Sequence, residues 1–74
     1  MANKTLHKQL GKHIRKLRQE KGFSQTDLAH EIGKDQQSIQ RLETGNVNPS
    51  FEYLHQVAVG LGISLEKLFK GFKP

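Results

Sequence analysis

The sequence predicts an all-α fold of five short helices, and three observations favour this class. Apolar residues recur every three or four positions in five successive segments, which is the spacing of one buried helix face. A Ser or Asp precedes four of these segments and a Gly follows four of them, as helix starts and ends require. No segment alternates apolar and polar residues with the period of a strand.

The first two helices have clear boundaries. The first covers about residues 5–21 and ends at Gly22. Its inner face carries apolar residues at spacings of four, four and three: Leu6, Leu10, Ile14 and Leu17. The second begins after Ser24, with Asp27 three positions later, which is close to a capping box although Asp reaches less well than Glu. Gly33 ends it, and its inner face is formed by Leu28, Ala29 and Ile32.

The remaining three helices follow the same rules. Asp35 caps the third helix and Gly45 closes it, with two inner residues, Ile39 and Leu42. Residues 46–49 form a turn or loop because they contain two Asn and a Pro. Ser50 caps a fourth helix with the apolar residues Phe51, Leu54, Val57, Ala58 and Leu61. Ser64 starts a short fifth helix with Leu65, Leu68 and Phe69.

Length and composition exclude several classes of protein. With 74 residues we expect a single domain, 1–74, with a core at about 5–69 and a loose tail at 70–74. Cysteine is absent, which excludes a disulfide framework and the Cys-based zinc modules. No apolar run approaches the ~18 residues of a membrane span, and no signal-peptide pattern opens the chain. We therefore expect a cytoplasmic protein without a membrane partner.

Positive charge is concentrated at the start of the chain. The net charge is +5, and residues 1–23 carry seven Lys or Arg against one acidic residue, whereas the remainder carries five against six. Such a field favours a polyanionic partner, with nucleic acid before an acidic membrane surface. A solvated helix face rich in lysine would give the same pattern, so charge alone leaves the partner open.

The segment from Gln25 to Leu42 carries the strongest functional signal. Two helices joined by about three residues must cross steeply, which requires a small residue at the crossing and a tight turn. Ala29 and Gly33 provide these two features. The combination predicts a helix-turn-helix with a shared apolar core of Leu28, Ile32, Ile39 and Leu42.

The outer face of the third helix, Asp35–Glu43, predicts a surface that reads DNA. Four of its outward residues are amides or a guanidinium: Gln36, Gln37, Gln40 and Arg41. Gln pairs with adenine and Arg with guanine, and each such contact gives ~1–3 kcal/mol of discrimination between bases. Ser38 is small enough for close approach and can hydrogen-bond a phosphate or a base. A merely solvated face would usually mix Glu and Lys, so we expect this helix to enter the major groove of double-stranded DNA.

Several short motifs follow one another in a fixed order through about residues 10–69. They are Ile14-Arg-Lys-Leu17-Arg18, Lys21-Gly22-Phe-Ser-Gln25, Leu28-Ala29, Gly33, Gln36-Gln-Ser-Ile39, Leu42-Glu43-Thr-Gly45, Pro49-Ser50 and Leu61-Gly-Ile-Ser-Leu-Glu-Lys-Leu-Phe69. With these motifs the chain resembles the lambdoid phage repressor and Cro class of helix-turn-helix proteins, the XRE or Cro/C1-type family. The resemblance implies a compact five-helix, lambda-repressor-like DNA-binding domain that regulates transcription.

The resemblance also implies roles for single residues in DNA binding. Gln36, Gln37 and Arg41 match positions that read bases, whereas Gln40 matches a more peripheral position. Gln25 matches a residue that binds a DNA phosphate and braces the reading helix.

Further roles concern the scaffold and the loop. Arg18 and Glu43 match an ion pair between the first helix and the end of the third, although Arg18 could also contact a phosphate. Asn46 and Asn48 fall in the loop that meets the sugar-phosphate backbone in relatives. This loop has no Lys or Arg, so phosphate binding there would depend on backbone amides, Asn side chains and the start of the fourth helix.

The resemblance further implies a homodimer on a palindromic or near-palindromic operator, with two reading helices about 34 Å apart. Val59 and Phe72 lie outside the apolar stripes, and they either join a twofold interface or are scattered exposed apolar residues.

We expect no enzymatic activity, metal or cofactor, because the four histidines are scattered and the serines at helix starts are explained as N-caps. An alternative is an antitoxin-type module that binds a small protein partner and uses DNA only for autoregulation. A restriction–modification controller protein would also match the length and layout.

Overall fold

A computed structural model describes residues 4–74 and confirms the all-α prediction for them. The helices are α1 (Lys4–Glu20), α2 (Gln25–Glu31), α3 (Gln36–Glu43), α4 (Phe51–Gly60) and α5 (Leu65–Phe69). Each lies where the sequence predicted a helix, and the described part of the chain contains no strand. No helix between residues 4 and 74 is long and apolar enough to cross a membrane. Residues 1–3 of the predicted domain lie outside the described residues.

All four predicted N-caps form. In each, the side chain of the cap accepts a hydrogen bond from the backbone N–H three residues later, at 2.8 to 3.0 Å, and the cap residues are Ser24, Asp35, Ser50 and Ser64. The capping box of α2 is complete because the Asp27 carboxylate also accepts from the backbone N–H of Ser24 at 2.8 Å. The Asp27 side chain is shorter than that of Glu, but it still completes the capping box.

The core lies where the helices meet. α3 packs against both α1 and α2, and α4 packs against α2 and α5. The buried apolar residues are Leu10, Ile14, Leu28, Ala29, Ile39, Leu42, Leu54, Val57, Ala58, Leu61 and Leu68. This set agrees with the predicted stripes and leaves α3 anchored by its inner face on two other helices.

Phe51 is an exception to the predicted core, with 71% of its surface exposed. α4 meets α2 at its far end, where a Cβ placed on Gly60 would lie 2.5 Å from the Ile32 side chain and 3.1 Å from that of Leu28. The first turn of α4 lies outside this contact, so its apolar ring stays in solvent.

The tail after α5 contacts the helices through one aromatic residue. Phe72 is partly buried against the core, and its ring centroid lies 5.4 Å from that of His13 in α1. The His13 Nε2 donates to the Leu68 carbonyl at 2.7 Å, which ties α1 to α5 at the same place. Phe72 therefore packs against the core, whereas 64% of the surface of Val59 is exposed.

Candidate nucleic-acid interface

α2 and α3 form the helix-turn-helix that the sequence predicted. Gly33 in the turn has a φ of +68°, a conformation in which any L side chain would be strained. The N–H of Lys34 donates to the carbonyl of Ala29 at 2.9 Å, which closes α2 before Asp35 opens α3. Ala29 is only 2% exposed, as a small residue at a helix crossing should be. The turn thus sets α3 across α2 with its inner residues in the core.

The outer face of α3 is exposed to solvent. Gln36, Gln37, Gln40 and Arg41 are all exposed, whereas Ile39 and Leu42 are buried on the opposite face. Within residues 4–74 no side-chain hydrogen bond engages Gln37, Gln40 or Arg41, so their polar groups are available to a ligand. Ser38 is half-buried, and its hydroxyl donates to Asp35 Oδ1 at 2.8 Å.

A buried ion pair anchors the end of α3 to α1. Arg18 Nε donates to Glu43 Oε2 at 2.6 Å, and Arg18 Nη2 donates to Glu43 Oε1 at 3.0 Å. The third guanidinium nitrogen, Nη1, donates to the carbonyl of Phe23 at 2.7 Å. Only 8% of the Arg18 side chain and 2% of the Glu43 side chain are exposed. The hydrogen bonds from Arg18 to this carboxylate raise the pKa of the guanidinium. Burial and these three contacts show that Arg18 has the structural role predicted for it, and its contact with a phosphate stays a prediction.

Gln25 connects this ion pair to the exposed face of α3. Its Nε2 donates to Glu43 Oε1 at 3.0 Å, and its Oε1 accepts from Gln36 Nε2 at 2.6 Å. The chain of contacts therefore runs from α1 through Glu43 and Gln25 to the first residue of α3. Since an amide nitrogen carries two hydrogens, Gln25 keeps one donor for an external acceptor while it positions Gln36.

Comparison with known proteins decides the family. A helix-turn-helix family profile matches residues 14–68. The chain belongs to the XRE, or Cro/C1-type, helix-turn-helix family of transcriptional regulators.

Individual relatives agree with this assignment. The chain is 36% identical over 59 residues to the uncharacterized HTH-type transcriptional regulator y4dJ of Sinorhizobium fredii, which covers 80% of this chain and 77% of that protein. It is 38% identical over 60 residues to the control protein C.MunI of a Mycoplasma species, with 80% and 81% covered. Among solved structures, the restriction-modification controller protein C.AhdI from Aeromonas hydrophila matches with a TM-score of 0.80 and 34% identity, over 88% of this chain and 97% of that one.

α1 and α3 approach each other closely, and this contact was not predicted from the sequence. Gly11 is buried in the middle of α1, and a Cβ there would lie 2.6 Å from the carbonyl oxygen of Leu42 and would also overlap that of Glu43. A Cβ on Gly45 would lie 2.7 Å from the backbone nitrogen of Lys8. An isolated glycine inside a helical pattern was the available signal, because it often marks close backbone packing.

The loop after α3 gains positive charge from α1. Asn46 and Asn48 are both exposed, and Asn46 Nδ2 donates to Thr44 Oγ1 at 2.9 Å. A cleft of about 240 Å³ lies between this loop and the first turn of α1, where Lys4 and His7 form part of its wall. The positive charge that the loop lacks in sequence is thus supplied by Lys4, about forty residues earlier in the chain.

The start of α3 carries a fixed negative charge. The hydroxyl and the N–H of Ser38 both donate to the Asp35 carboxylate, and these hydrogen bonds hold its pKa below the usual value. The Asp27 carboxylate has a lowered pKa for the same reason, through the Ser24 backbone and hydroxyl. Among the described residues, no three His, Cys, Asp or Glu side chains are grouped to hold a metal ion.

Proposed function

We propose that this chain regulates transcription by binding a specific sequence of double-stranded DNA, with α3 in the major groove. One observation carries the proposal: unengaged side chains suited to base edges stand on the exposed face of a helix whose other face is buried. Gln37 and Arg41 are such side chains, and Ile39 between them is fully buried. A rigidly held helix places its hydrogen-bonding groups reproducibly, which base recognition requires.

The proposed readers of bases are Gln36, Gln37 and Arg41. Gln37 and Arg41 are one helical turn apart, so they face the same side of α3 and can reach neighbouring base pairs. Gln36 is already oriented by its hydrogen bond to Gln25, which limits the cost of ordering it on DNA. Gln40 and Ser38 are proposed to make peripheral contacts.

The proposed contacts to phosphate come from positions on both sides of α3. Gln25 at the start of α2 has a free amide hydrogen, and the amides of Asn46 and Asn48 are exposed in the loop. Lys4 lies beside this loop and adds charge. Such contacts fix the position of the protein on DNA and make affinity depend on salt, but they do not select the sequence.

We further propose that two copies bind a palindromic or near-palindromic operator. Successive major grooves on one side of DNA are about 34 Å apart. One copy of the described chain measures 30 × 24 × 20 Å and presents one reading helix. The longest of these dimensions is close to that spacing, so two such domains can lie side by side on DNA, and Val59 is one exposed apolar residue that is proposed for their interface.

The decisive experiment is selection of bound sequences from random duplex DNA at moderate salt. The proposal expects an enriched motif with twofold symmetry and a half-site spacing near one helical turn. A motif without symmetry would support the proposed reading of bases and would contradict the proposed dimer. Loss of every motif, together with co-purification of a small protein, would favour the antitoxin-type interaction module instead.

A second candidate is the control of a restriction–modification system. It is favoured by the similarity to C.MunI and by the match to C.AhdI, of which 97% is covered. This role also requires DNA binding, so it differs from the first candidate only in its target. Mapping the selected motif onto the source genome tests it: a site upstream of paired nuclease and methyltransferase genes is expected, and sites elsewhere would contradict it.

A further inference from the structure

A basic groove, called here the α1–tail groove, lies between α1 and the residues that follow α5. It has a volume of about 310 Å³. Its lining includes three exposed lysines, Lys12, Lys16 and Lys73, and two partly buried rings, those of His13 and Phe72. None of the DNA contacts proposed above uses these side chains, so the groove is a separate part of the surface.

The groove lies on the side of α1 that faces away from α3. Gly11 marks the face of α1 that meets α3, since a Cβ there would overlap the carbonyl oxygens of Leu42 and Glu43. Successive residues of an α-helix are about 100° apart, so His13 and Lys16 lie about 140–160° around α1 from Gly11. A duplex on the outer face of α3 would therefore not reach the groove.

The fold itself forms the wall that the tail provides. The N–H of Phe72 donates to the carbonyl of Phe69 at 3.0 Å, and Gly71 between them has a φ of +79°, so the chain turns back towards α1. The Phe72 ring then lies 5.4 Å from that of His13, and the His13 Nε2 donates to the Leu68 carbonyl at 2.7 Å. These contacts hold both rings in place.

The positive charge of the groove is not compensated. Within residues 4–74, Lys12, Lys16 and Lys73 form no ion pair, and the described lining contains no carboxylate. Glu20, one turn after Lys16, instead lines a separate groove together with Lys21. Three like charges around one groove repel one another, and an anion that binds among them would relieve this repulsion.

We propose that the α1–tail groove binds an acidic segment of another protein, in which an apolar side chain lies between Asp or Glu residues. The carboxylates of this segment pair with Lys12, Lys16 and Lys73, and its apolar side chain packs on the rings of His13 and Phe72. Charge complementarity of this kind favours one class of partner over others. The proposal goes beyond the proposed reading of bases by α3 and does not depend on it.

Nucleic acid fits this groove less well than an acidic segment does. The backbone of a duplex supplies phosphates but no apolar group, and it would leave the two rings uncovered. Single-stranded nucleic acid stacks successive bases on several aromatic side chains, whereas Phe72 is the one Phe, Tyr or Trp in the described lining. An acidic segment with an apolar residue supplies a partner for each kind of side chain in the groove.

The first experiment titrates a synthetic peptide, in which one Phe is flanked by Asp and Glu residues, against the ¹⁵N-labelled full chain. Saturable shifts are expected at Lys12, His13, Lys16 and Phe72. A second peptide with Ser in place of its Phe has the same charge and should bind about tenfold more weakly, because it cannot bury an apolar ring. Equal binding of the two peptides would contradict the proposed contact with the rings and leave only attraction between charges.

The second experiment reverses the charge of the groove. Lys12→Glu/Lys16→Glu should weaken binding of the acidic peptide about tenfold, because two attractive pairs become repulsive. It should also bind a peptide in which Lys replaces every Asp and Glu, which the wild type should not bind. The matched control is Lys21→Glu/Lys67→Glu, the same change of charge in the separate groove of about 330 Å³, and it should keep the wild-type affinity. All four lysines are exposed, and thermal unfolding checks that both variants fold.

The proposal fails if the acidic peptide causes no saturable shifts in the groove, or if both double variants weaken it equally. Shifts at the same residues with random duplex or single-stranded DNA, but not with the peptide, would assign the groove to nucleic acid and also overturn the proposal. Failure of the proposed regulator function is a separate result, since the peptide titrations use no DNA. With a selected duplex bound, the peptide should keep its affinity, and competition between the two would contradict a groove remote from α3.

Discussion

Arg18 and Glu43 form a two-point ion pair that is buried between α1 and the last turn of α3. Its position means that the orientation of α3 depends on Arg18, a residue outside the helix-turn-helix. Gln25 donates a hydrogen bond to the same carboxylate and accepts one from Gln36, so it links the ion pair to the first residue of α3. The ion pair therefore helps to position the exposed face of α3.

Replacement of one partner should be more damaging than replacement of both. Glu43→Leu leaves the Arg18 guanidinium buried without its counter-charge, and we expect the free energy of unfolding to fall by about 3–5 kcal/mol. In the double variant Arg18→Met/Glu43→Leu no charge stays buried, so most of this loss should be recovered. Urea unfolding monitored by circular dichroism measures both. If the single and double variants lost the same free energy of unfolding, the packing of these side chains, and not the unpaired charge, would determine the loss.

Gly11→Ala should disturb the contact between α1 and α3. The added Cβ would lie 2.6 Å from the carbonyl oxygen of Leu42, which forces the two helices apart. Overpacking of this kind costs about 1–3 kcal/mol of stability, and we expect weaker DNA binding even at temperatures where the variant is folded. Lys12→Ala, an exposed change on the same helix, is the control. Unchanged stability and affinity in Gly11→Ala would contradict the close approach.

The local features of this fold could be predicted from the sequence because they depend on neighbouring residues. Ser24 and Asp35 are followed within three positions by the N–H groups that they cap, so each helix start is visible in a short window. The apolar stripe of α3, with Ile39 inside and Gln37 outside, follows from the helical period alone. For the same reason the candidate reading face was predicted in full, and its role in DNA binding stays a prediction.

Features that depend on distant contacts could not be predicted in this way. The packing of Gly11 against α3 joins residues more than thirty positions apart. The contact of Phe72 with His13 spans nearly the whole chain, and without it the tail looked loose. Tyr53 is a similar case, because only the fold shows that its hydroxyl is buried without a partner beside α3.

Acid should destabilise the protein partly through the capping interactions at the starts of α2 and α3. The pKa values of Asp27 and Asp35 are lowered in the folded state by hydrogen bonds from Ser24 and Ser38. A lowered folded pKa gives stability that is present above the unfolded pKa, about 3.9, and is lost as pH falls through the folded value. The free energy of unfolding should therefore decline between about pH 5 and pH 2.

The variant Asp27→Asn/Asp35→Asn tests this origin, since Asn can cap but does not titrate in this range. Its free energy of unfolding should depend less on pH than that of the wild type when urea unfolding is repeated at several acid pH values. Glu20→Gln removes a carboxylate at the end of α1, far from any N-cap, and serves as the control. A pH dependence equal to that of the wild type would place the acid sensitivity elsewhere.

Arg41→Ala should change the sequence preference as well as the affinity. If the guanidinium reads a guanine, its loss removes about 1–3 kcal/mol of discrimination at one base pair and leaves the other positions unaffected. Parallel selection with wild type and variant measures this position by position. Arg15→Ala, an exposed arginine on α1, should not relax any position. Equal weakening on every sequence would assign Arg41 to phosphate contact alone.

Val59→Asp should separate two copies of the chain if the proposed dimer uses α4. Val59 is 64% exposed and lies beside a cleft of about 240 Å³ that is also lined by Ile32 and His55. A charge at the centre of an apolar contact opposes association because it would lose its hydration there. Sedimentation should show a shift from dimer to monomer, with weaker binding to a full operator and unchanged binding to an isolated half-site. Gln19→Asp, an exposed change on α1, is the control. A wild type that stays monomeric while it occupies a full operator would exclude this interface.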